Sequence, residues 1–350
     1  VLDNVYIHDI GNPNDTADQD AHGITLNGRV RNFWITHSEM ARTSGDGIQI
    51  NGGDGDTTRN NINHIYVGKN KSHHHKQTGA WVKEASDVII SQNEFYGMID
   101  SSSSSGQCTG GQYGPGYVWW IGNNIHDCSQ GVSIESGFDV NDADYLYVIG
   151  NSINHLRSAI PGNPHLSGAI KNRGGKRLYV VNNTINDTDS GVNILYNPPG
   201  TEIYNNIFSN RYGALYYDIL IENSTASTYL DNNIIYESSF RINWGGSVYT
   251  SMPSFISGTG KCLSCVNSDP KYVNPAGADF SLQFSSPAID RGILHSAYAT
   301  FQARYGIDIK KDFANIIRPQ NIVWDIGAYE YVSGGGDTTA PAAPSGLVVN

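Results

Sequence analysis

The sequence predicts an all-β protein, a right-handed parallel β-helix built as a single-stranded solenoid, and three observations lead there. Short Ile/Val/Tyr-rich runs alternate with Asn, Gly, Asp and Ser clusters along the chain. Seven of those runs close on an asparagine, and glycine-led strands interleave with them after variable loops.

The asparagine-closed runs are HIYVGKN, DVIISQN, VWWIGN, YLYVIGN, RLYVVNN, TEIYNN and TYLDNN. Stacked, they form a column of Asn70, Asn93, Asn123, Asn151, Asn183, Asn205 and Asn232, with steps of 23, 30, 28, 32, 22 and 27 residues. Two positions on, six of the seven carry an apolar residue: Phe95, Ile125, Ile153, Ile185, Ile207 and Ile234. The glycine-led strands are HGITLN, DGIQIN, TGAWVK, GGQYG, QGVSIE, SGAIKN and SGVNIL. A period in the twenties with Asn at one turn suits coils stacked about 4.8 Å apart, whose Asn side chains bond to the turn backbone and to each other. A propeller needs about four strands per blade and a leucine-rich horseshoe needs regular Leu; neither pattern is present. A helix signal is confined to the stretch around Ala297 to Tyr305.

The 350 residues hold 39 glycines, only 16% charged residues and a net charge of −11. That balance excludes nucleic acid, which requires a concentrated basic surface. No apolar run of about 18 residues marks a membrane span, and no signal peptide is visible. Val1 opens on VLDNVYIHDI, the middle of a repeating unit, so the true N-terminus with any signal and cap is expected outside this sequence. Of the four cysteines, Cys262 and Cys265 form a local CxxC, while Cys108 and Cys128 are well separated. Zinc would need a second pair at matching spacing, so disulfides in a secreted protein are expected, with Cys108–Cys128 bridging neighbouring layers.

The later stretch NSDPKYVNPAGADFSLQFSSPAIDRG, followed by IRPQNIVWDIGAYEY, resembles the C-terminal segment of secreted right-handed parallel β-helix repeat proteins of the pectate-lyase-like superfamily. The resemblance covers roughly residues 266–331 by motif and the remainder by repeat pattern. It implies an exported, carbohydrate-directed protein without naming a reaction. Residues 1–332 are therefore read as one β-helix domain. Residues 333–350, SGGGDTTAPAAPSGLVVN, are read as a Gly-rich linker entering a fibronectin type III module.

In a parallel β-helix, outward side chains form columns, so column membership outweighs sequence distance. Aligning the glycine-led strands puts Ile24/Leu26, Ile48/Ile50, Ala80/Val82 and Val132/Ile134 inward. Thr25, Gln49, Trp81, Tyr113 and Ser133 face outward, and the next column over holds Asn27, Asn51, Lys83, Glu135 and Lys171, with Arg173 on the same strand edge. Glu135 and Lys171 also suit an ordinary cross-layer ion pair. Long insertions at 12–21, 98–109 and 156–167 leave one corner of the coil and would wall this face into a cleft. His73, His74 and His75 occupy that corner, and His22 and Asp46 sit at its rim. Asp46 before Gly is equally a turn residue, and His73 with His75 could share a metal.

Three functions fit. A β-eliminating lyase on a uronate-containing glycan needs a base for the proton α to the carboxylate and a cation to neutralise that carboxylate. Lys83, Lys171 and Arg173 fit those roles beside Glu135, with His75 or Tyr113 as proton donor. Gln49, Trp81, Tyr113, His22 and Asp46 would bind substrate. No cofactor is required, although calcium is possible by similarity to chondroitinase B and alginate lyase. A glycoside hydrolase needs two carboxyl groups about 5 to 9.5 Å apart. SGDGIQI and AIKNR resemble elements of β-helix polygalacturonases, whose Asp-Asp and Gly-His-Gly elements are missing here. A non-catalytic, adhesin-like module would bind polysaccharide through Trp81, Tyr113 and Trp119. The leading expectation is an extracellular, monomeric lyase whose partner is a polysaccharide, not nucleic acid or membrane.

Overall fold

The computed structural model describes residues 1–12, 19–53, 61–102, 104–135, 143–158, 160, 163, 166–196 and 198–333. Three parallel sheets run the length of a right-handed β-helix. Sheet I stacks nine strands from Leu2–Asp3 to Thr228–Asp231, sheet II nine from Tyr6–Ile10 to Ile234–Tyr236, and sheet III ten from Ile24–Asn27 to Ser247–Tyr249. Each strand pairs in parallel with its equivalent one coil away, except Ser247–Tyr249, which folds back antiparallel at the end of sheet III, and this pairing satisfies the backbone of these short β-branched runs. The interior is a continuous column of Ile, Val and Phe that includes all eight residues expected inward on sheet III. Fully burying each such side chain contributes roughly 1.5–3 kcal/mol.

An asparagine ladder turns sheet I into sheet II. It runs Asn70, Asn93, Asn123, Asn151, Asn183, Asn206 and Asn233, all buried. From Asn93 on, each Oδ1 accepts both the backbone N–H and the Nδ2–H of the ladder residue before it, at 2.8–3.0 Å. The last two rungs correct the sequence column, which held Asn205 and Asn232. The residue before each rung is left-handed (Lys69 φ 61°, Gln92 φ 59°), and late in the chain Asn182, Asn205 and Asn232 fill that place. Asn tolerates this conformation better than other non-glycine residues, so doublets arise and the column is ambiguous by one. The interior residues two positions on are accordingly Phe208 and Ile235, whereas Ile207 and Ile234 point outward.

Those two outward isoleucines are covered by the C-terminal stretch. Tyr272, Phe280, Leu282, Ala288, Ile326, Ala328 and Tyr329 form a second core on them. Helix α1 (Met252–Thr259) closes the end of the solenoid, with Phe255 edge-on to Trp244 at 5.5 Å. Helix α2 (Ser296–Tyr305), close to the stretch the sequence marked, lies on the outer face of sheet I over a stack of Trp119, Tyr147 and Tyr179. Arg304 pairs with Asp87 at 2.5 Å, and Tyr298 Oη donates to Asn182 Oδ1 at 3.2 Å. Trp120 is the interior member of the Trp pair. Trp119 is fully buried under α2, which corrects its proposed role in binding polysaccharide.

The motif residues of this stretch have structural partners. Arg318 is enclosed and held by Glu330 at 3.1 Å, and Asp325 accepts the Asp290 and Tyr331 amides. Disulfides join Cys108 to Cys128 and Cys262 to Cys265. The expected linker and fibronectin start lie, beyond residue 333, outside the described residues.

Candidate functional site

The outer face of sheet III carries the site. Register places Thr25, Gln49, Trp81, Gly110, Ser133, Lys171, Asn193, Leu220 and Asn243 in one outward column. Asn27, Asn51, Lys83 and Gln112 form the next, which Glu135 and Arg173 continue just past their strand ends. Two expectations are corrected. Lys171 belongs with Trp81 and Ser133 rather than with Lys83, because Ala169, not Gly168, pairs opposite Gly131. Tyr113 is not in the Trp81 column: the strand is Gln107–Gln112, Gly110 pairs with Trp81, and Tyr113 falls in the following turn at φ 58°. Here the aligning glycine is replaced by Cys108, which the disulfide requires.

Glu135, Lys171, Arg173 and Ser133 meet in one cluster. Lys171 Nζ lies 2.5 Å from Glu135 Oε1, Ser133 Oγ donates to the same oxygen at 2.7 Å, and Arg173 Nη1 donates to Oε2 at 3.1 Å. Arg173 Nη2 also donates to Tyr196 Oη at 2.8 Å. Exposure is graded: the Lys171 side chain is 1% exposed, Glu135 15% and Arg173 33%. Burial and Arg173 pull the Lys171 ammonium down against the opposing pull of Glu135. Burial pushes Glu135 up, but Lys171, Ser133 and Arg173 together outweigh it, and the carboxyl is held low. The Gln130 Nε2 donor, buried beside Ser133, has no partner among the described residues.

Lys83 stands two layers away, half-buried, with its ammonium 6.0 Å from the centre of the Tyr113 ring. Trp81 is nearly enclosed. Its indole covers Gly110, where any Cβ would meet both the ring and the Ser133 carbonyl, and its Nε1 donates to Gln112 Oε1 at 3.0 Å. It therefore shapes the floor rather than offering a ring face, contrary to its expected binding role.

The rim group is also assembled. Asp46, 1% exposed, accepts Thr78 Oγ1–H at 2.6 Å, the Thr78 amide at 3.2 Å and Gln49 Nε2–H at 3.1 Å. His22 Nδ1 accepts the Asp46 amide at 2.8 Å, and its Nε2 lies 2.9 Å from Gln49 Nε2. Burial pushes the Asp46 carboxyl up, opposed by Thr78, His22, Gln49 and Lys83.

His75 does not reach the outer face of sheet III. It is fully enclosed between Thr43 Oγ1 (2.8 Å) and Ser72 Oγ (2.9 Å), and burial drives its pKa down to about 3, so it cannot protonate a leaving oxygen. His73 stacks on Tyr96 (4.7 Å) on sheet II, away from His75. Among the described residues no group of three or more His, Cys, Asp or Glu could hold a metal. Calcium requires six or more oxygens with carboxylates prominent, whereas Asp46 and Glu135 are committed to protein donors, so these residues do not fit it. The three long loops leave the corner between sheets II and III as expected, but much of 12–21 and 156–167 lies outside the described residues. Tyr196 was missed. It sits in LYNPPG, where only an aromatic before an Asn-Pro turn could have marked it.

No family model matches the chain, and no curated protein matches it. Among solved structures, the chain is similar to the crystal structure of pectate lyase Pel9A, with a TM-score of 0.57 and 13% identity over 93% of this chain and 77% of that one. It also aligns with the complex of XylC with xylose at a TM-score of 0.49 and 12% identity, covering 89% of this chain and 62% of that one. The first likeness shows the parallel β-helix fold.

Proposed function

We propose that this protein is an extracellular lyase that cleaves a uronate-containing polysaccharide by β-elimination. One observation carries the reading: a lysine, a glutamate and an arginine are locked together on the outward face of sheet III, with Lys171 almost wholly out of water. A buried ion pair is a poor stability device, because desolvation offsets most of its attraction. Its retention on a groove face points to chemistry, and the lowered Lys171 is the perturbed group an active site displays.

The roles follow exposure. Arg173, one-third exposed, presents its guanidinium to the substrate carboxylate and stabilises the charge that gathers there as the α-proton leaves. Lys83, reachable from solvent, takes that proton; it starts three layers from Arg173, roughly 14 Å, a gap that these two long side chains close by reaching toward each other along the face. The C4–O4 bond breaks as the C4=C5 double bond forms, and the Tyr113 phenol donates its proton to the departing oxygen. Lys171 and Glu135 act through Arg173 as positioning residues. The likeness in fold to a pectate lyase and the two disulfides support a secreted, carbohydrate-directed reading. Hydrolysis is less well served: Asp46 and Glu135 are also three layers apart, roughly 14 Å, and their short side chains, held by Thr78 and Gln49 and by Lys171 and Ser133, do not come within the reach two cooperating carboxyl groups need.

The test is incubation with pectate, alginate, chondroitin and ulvan while following the ultraviolet absorbance of the new conjugated double bond. Lys83→Ala is expected to lower turnover by about 10²–10⁴-fold with an unchanged circular dichroism spectrum. Near-normal turnover in this variant would remove Lys83 from the mechanism. Reducing ends without ultraviolet absorbance would establish hydrolysis instead, and retained binding without any product would establish a binding module.

A further inference from the structure

Beyond the charged cluster, the same outward column continues through Asn193 and Leu220 to Asn243, three layers or roughly 14 Å from Lys171. There the sheet ends in a hairpin, Ile242–Trp244 paired antiparallel with Ser247–Tyr249. Its two-residue turn, Gly245 (φ 62°) and Gly246 (φ 85°), requires the left-handed conformation at both positions, which glycine supplies without strain. The turn rises beside the sheet and bounds a pocket of about 410 Å3 lined by Tyr217, Leu220, Glu222, Asn223, Asn243 and the two glycines.

We propose that this pocket binds an uncharged sugar unit of the same glycan chain whose uronate lies at Arg173; the inference rests on reading this face of sheet III as a glycan cleft. Three features carry it. The lining offers a partly exposed Tyr217 ring for the apolar face of a pyranose, over a floor closed by the buried Leu220. Its polar groups are amides and one carboxylate, suited to hydroxyl groups. Asn243 uses Oδ1 to accept the Gly246 amide at 3.0 Å, which leaves its NH2 donors for a ligand. Among the described residues no lysine or arginine lines the pocket, so a uronate there would face Glu222 without compensation. The Arg241 guanidinium lies over the Tyr217 ring at 4.7 Å and is held by the Ala214 carbonyl, to which it donates.

Tyr196 divides the two regions and links them. Its hydroxyl accepts from Arg173, while its backbone N–H donates to Glu222 Oε2 at 2.7 Å and its carbonyl accepts from Asn223 Nδ2 at 3.2 Å. The face thus changes from cationic at Arg173 to acidic at Glu222 across one residue, which selects a polymer of mixed charge over a homopolymer of uronates.

Isothermal titration calorimetry of the wild-type chain, Tyr217→Ala and Asn243→Ala tests this with two kinds of probe: galactotetraose, xylotetraose and mannotetraose as neutral oligosaccharides, and tetragalacturonate. At least one neutral probe is expected to bind the wild type and to weaken roughly tenfold in each variant, with tetragalacturonate unchanged. The assignment is overturned if no neutral probe binds, if neutral binding survives both substitutions, or if both probe types weaken alike. Asn243→Ala, in a solvent-facing position, guards against a packing defect in Tyr217→Ala. Neutral binding with no elimination product would sink the lyase reading alone, and elimination without neutral binding would sink the pocket alone.

Discussion

Replacing Glu135 with glutamine strips Lys171 of its carboxylate while leaving the ammonium enclosed. Breaking a buried pair from one side costs about 3–5 kcal/mol. The protein has one escape, which is to fold with Lys171 discharged. From the ordinary lysine value of 10.5, discharge costs about 1.4 kcal/mol per pH unit, hence at most about 5 kcal/mol at pH 7 and about 2 kcal/mol at pH 9. Glu135→Gln is therefore expected to lose about 3–5 kcal/mol at pH 7 and no more than about 2 at pH 9. The double substitution Lys171→Met/Glu135→Leu removes both charges and should return stability to within about 1 kcal/mol of wild type, while the variant stays inactive. Urea denaturation followed by tryptophan fluorescence at the two pH values reads all of this. A pH-independent loss, or one below about 1 kcal/mol at pH 7, would refute the view that Lys171 is enclosed and dependent on Glu135. Wild-type activity in the double variant would refute its place in the site.

Three further outcomes follow from the scaffold. Asn151→Ala orphans the Asn123 amide, the Asn123 Nδ2–H and the Trp120 carbonyl, each buried; at about 1–3 kcal/mol apiece the chain should lose about 3–9 kcal/mol in urea, and a loss under about 1 would show that the ladder relaxes around the gap. Removing the Cys108–Cys128 bridge, which closes a separation of 20 residues, should cost about 3 kcal/mol, visible as a lower Tm that is absent when reductant is added to both proteins. Burial beside Asp218 raises the Glu237 pKa from 4.5 to about 8. The folded chain then holds a proton that the unfolded one releases, so this contribution is present below pH 4.5 and is lost as pH rises through about 8. Tm should fall across that window and fall less in Glu237→Gln; parallel profiles would contradict the shift.

The repeat was legible because a parallel coil imprints its turns directly: an amide ladder demands Asn, and the left-handed residue before it favours Gly or Asn. The same preference blurred the ladder at Asn205 and Asn232, where both positions want the same residue. Lys171 stood out as a charge inside a strand and Glu135 and Arg173 as charges just past strand ends, which is why the cluster could be anticipated. Its register could not, because glycine marks the strand start only while glycine is there. Cys108 and Ala169 displaced the marker and carried Tyr113 and Lys171 into the wrong columns. Burial was the harder quantity. Trp81 and His75 looked presentable in one dimension, but a neighbouring Gly110 and an enclosing corner hide them. The function of SPAIDRG and DIGAYEY was invisible locally, because Ile207, Thr184 and Asn182, their partners, lie many coils earlier in the chain.

That return of the C-terminal stretch changes how the molecule comes apart. A bare solenoid touches only its nearest neighbours, so it can fray one coil at a time from either end. Here the stretch contacts the coil of Asn232 through the Arg291 carbonyl and reaches back to Asp87 through Arg304. Coils between them cannot open singly without first releasing that strap, so the segment carrying Glu135, Lys171 and Arg173 should exchange its amide protons as a single unit, late and all together.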